Sequence, residues 1–251
     1  MGEPGAAGGP WKQFRGDLGD AAGVLVRHPA LSGLTVALTG GAIALNRLGH
    51  GWVVVALPLY LSLTGFEGTQ RVWFLRAFRH RGVARGEVWS MTLRFLPRFL
   101  IVTGGSLLVI VVALRGLGLR IESPGPVPHP LQSLVAASLL ANIALTFVMP
   151  ALALSYRSWR GALRRGFRML KDAWPASAFY IFAPGLVLFD LSATVPAGDI
   201  LALVLRTATG AILALWFKGA IVGFYLRQYP HVDDSGAAYA DEPAVPPRRR
   251  A

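Results

Sequence analysis

The chain has 251 residues, 53% of them hydrophobic and 15% charged, and its mean hydropathy is +0.48. A water-soluble globular chain is less apolar than this, so the composition predicts an integral membrane protein. The net charge of +12 lies between hydrophobic stretches rather than on a polar domain, which argues against nucleic acid as a partner, and the absence of cysteine excludes disulfides, thiolate metal sites and cysteine nucleophiles.

The first 28 residues are predicted to form a cytoplasmic N-terminal lead. They begin with Gly, Pro and Ala, and they lack the basic start and apolar core of a signal peptide. Two short apolar stretches follow, at residues 31–46 and 52–66. We interpret them as a tight transmembrane hairpin, although both are short for spans of about 17 to 25 residues. The alternative is a re-entrant pair that does not fully cross the membrane.

Four more apolar stretches predict four further spans. They cover residues 99–117, 131–155, 177–195 and 200–226, and the turn-forming loop ESPGPVPHP separates the first two of them. The predicted fold is therefore all-α: a polytopic transmembrane helix bundle of six spans over residues 29–228, with cytoplasmic amphipathic interfacial helices. Residues 229–251 are rich in Pro, Asp and Ala, which predicts a disordered cytoplasmic tail.

The distribution of positive charge predicts the orientation of this bundle. The segments that share one side of a six-span chain are residues 1–28, 71–98, 156–174 and the C-terminal end, and together they hold 20 of the 25 lysines and arginines. The opposite loops and helix ends hold three, which are Arg47, Arg115 and Arg120. The positive-inside rule then places both termini in the cytoplasm.

The segment YRSWRGALRRGFRMLKDAW, residues 156–174, is predicted to form an amphipathic interfacial helix. At about 100° per residue, one arc is apolar and aromatic: Tyr156, Trp159, Leu163, Phe167, Leu170 and Trp174. The adjacent arc is basic: Arg157, Arg160, Arg164, Arg168 and Lys171. We expect this basic arc to contact the headgroups of anionic lipids. The alternative is that the arginines only fix topology while the apolar arc packs on neighbouring helices.

An earlier cytoplasmic segment, residues 71–98, holds two shorter amphipathic pieces, VWFLRAF and EVWSMTLRFL. The stretches LRAFRHRGVARGEVWSMTLRFL and FVMPALALSYRSWRGALRRGFRML resemble recurring cytoplasmic motifs of poorly characterised six-helix bacterial membrane families, including the membrane domain found fused to glycerophosphodiester phosphodiesterases. The resemblance covers about residues 30 to 228 and implies a multi-pass inner-membrane domain. It supplies no catalytic residue. Because the sequence shows no fused soluble domain, we expect no phosphodiesterase activity.

No catalytic, metal-binding or cofactor motif is visible in the sequence, so we expect no enzyme activity and no cofactor. Two charged residues lie inside the last predicted hairpin at similar depth, Asp190 in the fifth span and Arg206 in the sixth. Ionisable groups inside a membrane usually pair or face a polar cavity, so we expect these two to pair. The pair would be either a structural ion pair or a gate in a transporter, and the other alternative is that Arg206 reaches the lipid interface alone.

Two further features lie in the sixth span. Lys218 is expected to reach the cytoplasmic headgroups, with Glu67 as an alternative partner. Gly219 and Gly223 form a GxxxG pattern that predicts close helix packing, within the bundle or between copies of the chain.

Three functional classes follow from this sequence. The first is a non-catalytic scaffold or regulatory module that contacts anionic membrane lipids and either a protein partner or a second copy of itself. The second is a small transporter or permease component that uses the pair formed by Asp190 and Arg206. The third is an intramembrane enzyme, for which the sequence shows no set of catalytic residues.

Overall fold

The computed structural model describes residues 9–47, 53–116, 145–155, 158–193 and 200–232. In these ranges the chain forms α-helices and no strand, which confirms the predicted all-α class. In chain order the helices are α1 (Pro10–Arg27), α2 (Pro29–Arg47), α3 (Val53–Phe78), α4 (Arg85–Gly116), α5 (Val148–Leu154), α6 (Trp159–Asp172), α7 (Ala176–Ala193) and α8 (Ile200–Gln228).

The last helix, α8, lies at the centre of the packed region. It contacts α1, α2, α3 and α7, and more weakly α5, while α4 packs mainly along α3. Aromatic and aliphatic side chains fill the space between these helices, and several on α8 are fully buried: Leu215, Ala220, Val222, Phe224 and Tyr225. Helix α8 is therefore held on several sides by its neighbours.

The piece VWFLRAF belongs to this core, whereas the sequence predicts an interfacial element there. It forms the last turns of α3, and Val72, Trp73, Phe74 and Leu75 are all buried. Apolar residues occupy nearly every position of these turns, so the helix is apolar on all sides. A helix of this kind is buried rather than laid on a surface.

The N-terminal segment also departs from its predicted role as a separate lead, because residues 10–27 form α1 and pack into the same core. Its buried face consists of Phe14, Asp17, Ala21 and Val24, which recur at helical spacing. Charged residues on the remaining faces lower the mean hydropathy of the segment, so the sequence resembles a solvated lead. The axes of α1 and α2 meet at 89° at His28.

Large apolar side chains remain exposed on three helices of the bundle. They lie on α4, α7 and α8: Leu100, Ile101, Leu108, Val109, Val112, Phe182, Leu186, Val204 and Leu205. Within the described ranges, one helix, over Val204–Gln228, is long and apolar enough to cross a membrane. The bent pair α1 and α2 would count as a second if it formed one span. The number of six spans stays a prediction, and residues 117–144, with the ESPGPVPHP loop, lie outside the described ranges.

Candidate functional site

Helix α6 presents three faces, one more than the sequence predicts. The first face is buried and consists of small or flexible residues, Ala162, Gly166 and Met169. The second is exposed and aromatic: Trp159 and Phe167 are 45% and 51% exposed, and Trp174, two residues beyond the helix, is 59% exposed. The third is exposed and basic: Arg160, Arg164, Arg168 and Lys171. The aromatic residues of the predicted arc that the structure describes therefore point away from the protein, whereas its leucines, Leu163 and Leu170, are half-buried and pack against the core.

The buried face fixes how α6 is rotated on the protein. A Cβ atom added to Gly166 would lie 2.7 Å from the backbone nitrogen of Val148 and 2.9 Å from its Cα, so the backbones of α5 and α6 are in contact. On the other side the guanidinium carbon of Arg165 lies 4.0 Å from the centre of the Tyr229 ring, just beyond the end of α8. These contacts leave the aromatic and basic faces of α6 exposed on the surface of the protein.

The basic face lies close to the aromatic one. The guanidinium carbon of Arg160 lies 5.3 Å from the centre of the Trp159 ring, within the range of a cation–π contact. Arg157, which the sequence places on the same basic arc, lies outside the described residues. The four cations that the structure does place share one exposed face, as an interfacial helix requires.

A second candidate site joins α1, α7 and α8 through the carboxylate of Asp17, which is 1% exposed. The Tyr180 hydroxyl donates a hydrogen bond to it at 2.5 Å, and the guanidinium of Arg227 donates a further hydrogen bond and forms an ion pair with it. Burial raises the pKa of the Asp17 carboxyl, although Arg227 and Tyr180 act in the opposite direction. The two donors thus compensate in part for the removal of this carboxylate from water.

The glycines of the GxxxG pattern lie on α8 where α1 and α3 approach it. A Cβ added to Gly219 would lie 2.7 Å from a ring carbon of Phe74 and 2.8 Å from the Cβ of Ala21. At Gly223 the nearest atom would be a carboxylate oxygen of Asp17, at 3.2 Å. Close approach at these two positions is what lets Asp17 reach Arg227 on the next turn of α8.

A third polar cluster connects α2, α3 and α8. The Lys218 ammonium donates to the carboxylate of Glu67 at 3.1 Å and to the amide oxygen of Gln70 at 3.0 Å. The amide nitrogen of Gln70 donates in turn to the Thr35 hydroxyl at 3.0 Å, and Arg71 donates to Glu67 at 3.3 Å. The pairing of Lys218 with Glu67 is confirmed, and the cluster holds two cations for one carboxylate.

We expect Glu67→Gln to destabilise the protein more than Lys218→Met. The first change removes the one carboxylate that both cations share, and we expect it to lower the free energy of unfolding by about 2 to 3 kcal/mol. The second leaves the pair between Arg71 and Glu67 intact, so we expect a loss of about 1 to 2 kcal/mol. Unfolding of the purified variants in mild detergent measures both losses.

A matched control for these substitutions is Glu87→Gln. Glu87 pairs with Arg76 at 2.6 Å, but its side chain is half exposed, and exposed pairs contribute at most about 1 kcal/mol. If Lys218→Met cost as much as Glu67→Gln, or if the control cost as much as either, the cluster would not act as a shared charge network.

The predicted pair formed by Asp190 and Arg206 stays a prediction. Arg206 is half-buried on α8, and the side chain of Asp190 lies outside the described residues. Within the described residues, the charge clusters inside the bundle are the one built on Glu67 and the one built on Asp17.

Sequence reasoning missed the site at Asp17 because the residue lies in a segment with charges on most of its faces. The signal that identifies it is the spacing of Phe14, Asp17, Ala21 and Val24, together with Pro10 at the first helical position. A carboxylate on such an otherwise apolar arc indicates a buried, partnered group. No comparable pattern in the sequence connects Thr35 or Gln70 with Lys218.

Comparison with known proteins identifies no relative, so the functional argument rests on the geometry described above. The resemblance of the two aromatic and arginine-rich segments to six-helix membrane families stays a prediction from the sequence. No protein-family model matches the chain, and no curated protein or solved structure matches it either.

Proposed function

We propose that the chain is a multi-pass membrane protein of six spans with both termini in the cytoplasm. In this proposal it acts as a non-catalytic scaffold or regulatory module that gathers anionic lipid around α6. The observation that carries the proposal is the three-faced arrangement of α6, with its small-residue face docked on α5 and its aromatic and basic faces exposed.

The exposed apolar side chains on α4, α7 and α8 support a membrane environment. Soluble monomers rarely expose contiguous apolar patches larger than a few hundred Å². Here exposed residues recur on one side of α4, as at Leu108, Val109 and Val112, and on one side of α7, at Phe179, Phe182 and Leu186. In a membrane, lipid chains would cover these apolar surfaces and keep them out of water.

The exposed aromatic and basic faces of α6 support contact with anionic headgroups. Tryptophan is enriched at membrane interfaces because one edge of its ring is apolar and the other is polar. Trp159 and Trp174 lie at the two ends of α6, so they fit an interface along the length of the helix. Each arginine close to an anionic leaflet contributes about 1 kcal/mol of attraction. Because neighbouring helices already hold α6 in place, this attraction would enrich anionic lipid around it.

A second candidate function is transport, and the cluster of Glu67, Arg71 and Lys218 favours it. Ionisable groups held between two packed helices, here α3 and α8, often mark a path for an ion or a substrate. A flux of substrate into proteoliposomes that Glu67→Gln abolishes would favour transport over the scaffold role. Co-purification of a fixed protein partner, without flux, would favour the scaffold role.

Changing Arg157, Arg160, Arg164 and Arg168 to Gln is expected to abolish the preference of the purified protein for anionic lipid. Native mass spectrometry measures the phosphatidylglycerol and phosphatidylethanolamine that remain bound after extraction from a membrane containing both. The wild type is expected to retain phosphatidylglycerol in excess. The variant is expected to retain the two lipids in the proportions of the membrane, because the charges that select the headgroup are gone.

The matched control changes the same four arginines to Lys, which keeps the charge and the length of the face. We expect this control to retain the preference for phosphatidylglycerol. Equal retention by the wild type and the Gln variant would contradict the proposal, and it would reduce α6 to a segment that fixes topology and packs on α5. Arg165, Lys171 and the earlier basic segment remain in both variants, so the orientation of the chain should not change.

A further inference from the structure

We infer that α1 is a second interfacial helix, which extends the lipid-contacting surface of α6 around the first turn of α7. The occupant of its exposed apolar face is the headgroup layer of the cytoplasmic leaflet. This inference rests on the proposed membrane function and assigns to it a segment that the sequence presents as a lead.

The direction of α1 is the first argument. The axes of α1 and α2 meet at 89°, and α2 contacts both α3 and α8 inside the bundle. If α2 runs along the membrane normal, as a span does, α1 must lie in the membrane plane. With 18 residues at about 1.5 Å each, it covers about 27 Å of that plane.

The faces of α1 are the second argument, because they repeat the order found on α6. At about 100° per residue, the buried face around Ala21 is followed by an apolar arc of four residues. Leu18 and Leu25 are half-buried and pack against the core, Ala22 is half-buried, and Trp11 is exposed. Beyond that arc lie two exposed cations, Arg15 and Lys12. On α6 the buried, aromatic and basic faces follow one another in the same rotational direction. The two helices therefore present their faces in the same rotational order.

The contacts of Trp11 are the third argument. Its ring is 57% exposed, and its centre lies 5.7 Å from that of Phe179 in the first turn of α7. Phe179, Phe182 and Leu186 form the exposed stripe of α7, so Trp11 stands at the beginning of that stripe. Trp174, at the end of α6, immediately precedes the same turn. Trp11 of α1 and Trp174 after α6 thus both lie beside the start of α7, the first through its ring contact and the second along the chain.

The remaining face of α1 is polar and open, as an interfacial helix requires on its aqueous side. Gly19, Gly23, Asp20 and Arg27 line a groove there, opposite His80 at the end of α3. Gly16 and Asp20 are exposed, and no side chain approaches a Cβ added at Gly16. A helix buried in lipid along its whole circumference would not carry this face.

Spin labelling tests the inference directly, because the chain has no cysteine and each single-cysteine variant carries one nitroxide. The full-length protein is reconstituted into vesicles of phosphatidylethanolamine and phosphatidylglycerol. Collisions of the nitroxide with oxygen and with a water-soluble nickel chelate report its depth. The labelled variants on α1 are Trp11→Cys and Ala22→Cys on the apolar arc, and Gly16→Cys and Asp20→Cys on the polar face.

We expect the ratio of oxygen to nickel collisions to be several-fold higher at positions 11 and 22 than at positions 16 and 20. High nickel access at all four positions would mean that α1 lies in water and would overturn the inference. A steady change of depth along the helix, without the helical period, would overturn it in favour of a broken or re-entrant span. Low access of both reagents at positions 11 and 22 would overturn it in favour of a protein contact.

Two control labels separate this inference from the proposed function. Ile101→Cys lies on the exposed apolar side of α4, and Phe167→Cys lies on the aromatic face of α6. If both report lipid while α1 reports water, only the inference about α1 fails. If Ile101→Cys also reports water, the membrane proposal itself fails.

Discussion

Replacing Arg227 by Met is expected to lower the free energy of unfolding by about 3 to 5 kcal/mol, because it leaves the Asp17 carboxylate buried without its cation. Asp17 is 1% exposed in the intact protein, so its carboxylate would lose its cation while the neighbouring helices still cover most of its surface. The Tyr180 hydroxyl alone would continue to donate to it. Equilibrium unfolding in mild detergent, followed by tryptophan fluorescence, measures the loss.

The reverse substitution, Asp17→Asn, should cost less than about 2 kcal/mol. Asn has the same shape, its amide oxygen still accepts from Tyr180, and the Arg227 side chain is 42% exposed and can be solvated. Once the carboxylate is gone, the double variant should resemble Asp17→Asn alone. Additive losses, or a smaller loss for Arg227→Met than for Asp17→Asn, would contradict the account of this site.

The loss in Arg227→Met should also depend on pH. Burial raises the pKa of Asp17 already in the intact protein, and removing the cation raises it further. A carboxyl whose folded-state pKa lies above its unfolded value stabilises the fold at low pH and loses that contribution as the pH rises. The deficit should therefore be larger at pH 8 than at pH 5, and a deficit independent of pH would show that the carboxylate does not remain buried.

Replacing Gly65 by Ala is expected to cost about 3 kcal/mol, at the upper end of the usual range for overpacking. A Cβ at this position would overlap the carbonyl oxygen of Thr92 and lie 3.1 Å from its carbonyl carbon and 3.2 Å from the Cβ of Leu96. A backbone atom cannot rotate away, so α3 and α4 must move apart. The hydrogen bond between the hydroxyls of Thr69 and Thr92, one turn along at 3.1 Å, would be lost with the movement.

Gly105→Ala on α4 is the matched control, because nothing lies within 4 Å of a Cβ added there. We expect this change to leave stability unchanged or to raise it slightly, since Ala favours helix over Gly by about 1 kcal/mol. Thermal unfolding of both variants in the same detergent compares them. A loss for Gly65→Ala no larger than that for the control would mean that the two helices are not in backbone contact.

The long apolar helices could be located from the sequence. The predicted fifth and sixth spans, 177–195 and 200–226, correspond to α7 at Ala176–Ala193 and α8 at Ile200–Gln228. Unbroken apolar runs between Pro- and Gly-containing turns specify such helices almost alone. The helix at α6 was also predictable, because its aromatic and basic residues recur with helical period.

What the sequence did not show is how these helices are rotated against one another. The buried face of α6 consists of Ala162, Gly166 and Met169, and the first two are too small to register as a hydrophobic stripe. The same limit explains why Lys218 could be connected with Glu67 but not with Gln70. Polar residues on separate helices form a network only once packing has brought their faces together.

For helix α1 the error is the opposite one: its charged residues predict a solvated lead, but the helix packs into the core. Lys12, Arg15 and Asp20 lie on its exposed faces and dominate its composition, whereas Asp17 is charged and yet buried. Composition averages over the whole circumference of a helix, but packing depends on one face. The spacing of its buried residues, rather than its mean hydropathy, carries the structural information.

The most direct test of the central claim, a six-span membrane protein with its basic surface in the cytoplasm, is a pair of alkaline phosphatase fusions in bacterial cells. The enzyme is active only outside the cytoplasm. Fusion after Pro130, in the ESPGPVPHP loop, is expected to be active, and fusion after Gln228, at the end of α8, is expected to be inactive. Activity after Gln228 together with inactivity after Pro130 would contradict the claim, because it would place the basic segments and α6 on the outer side of the membrane.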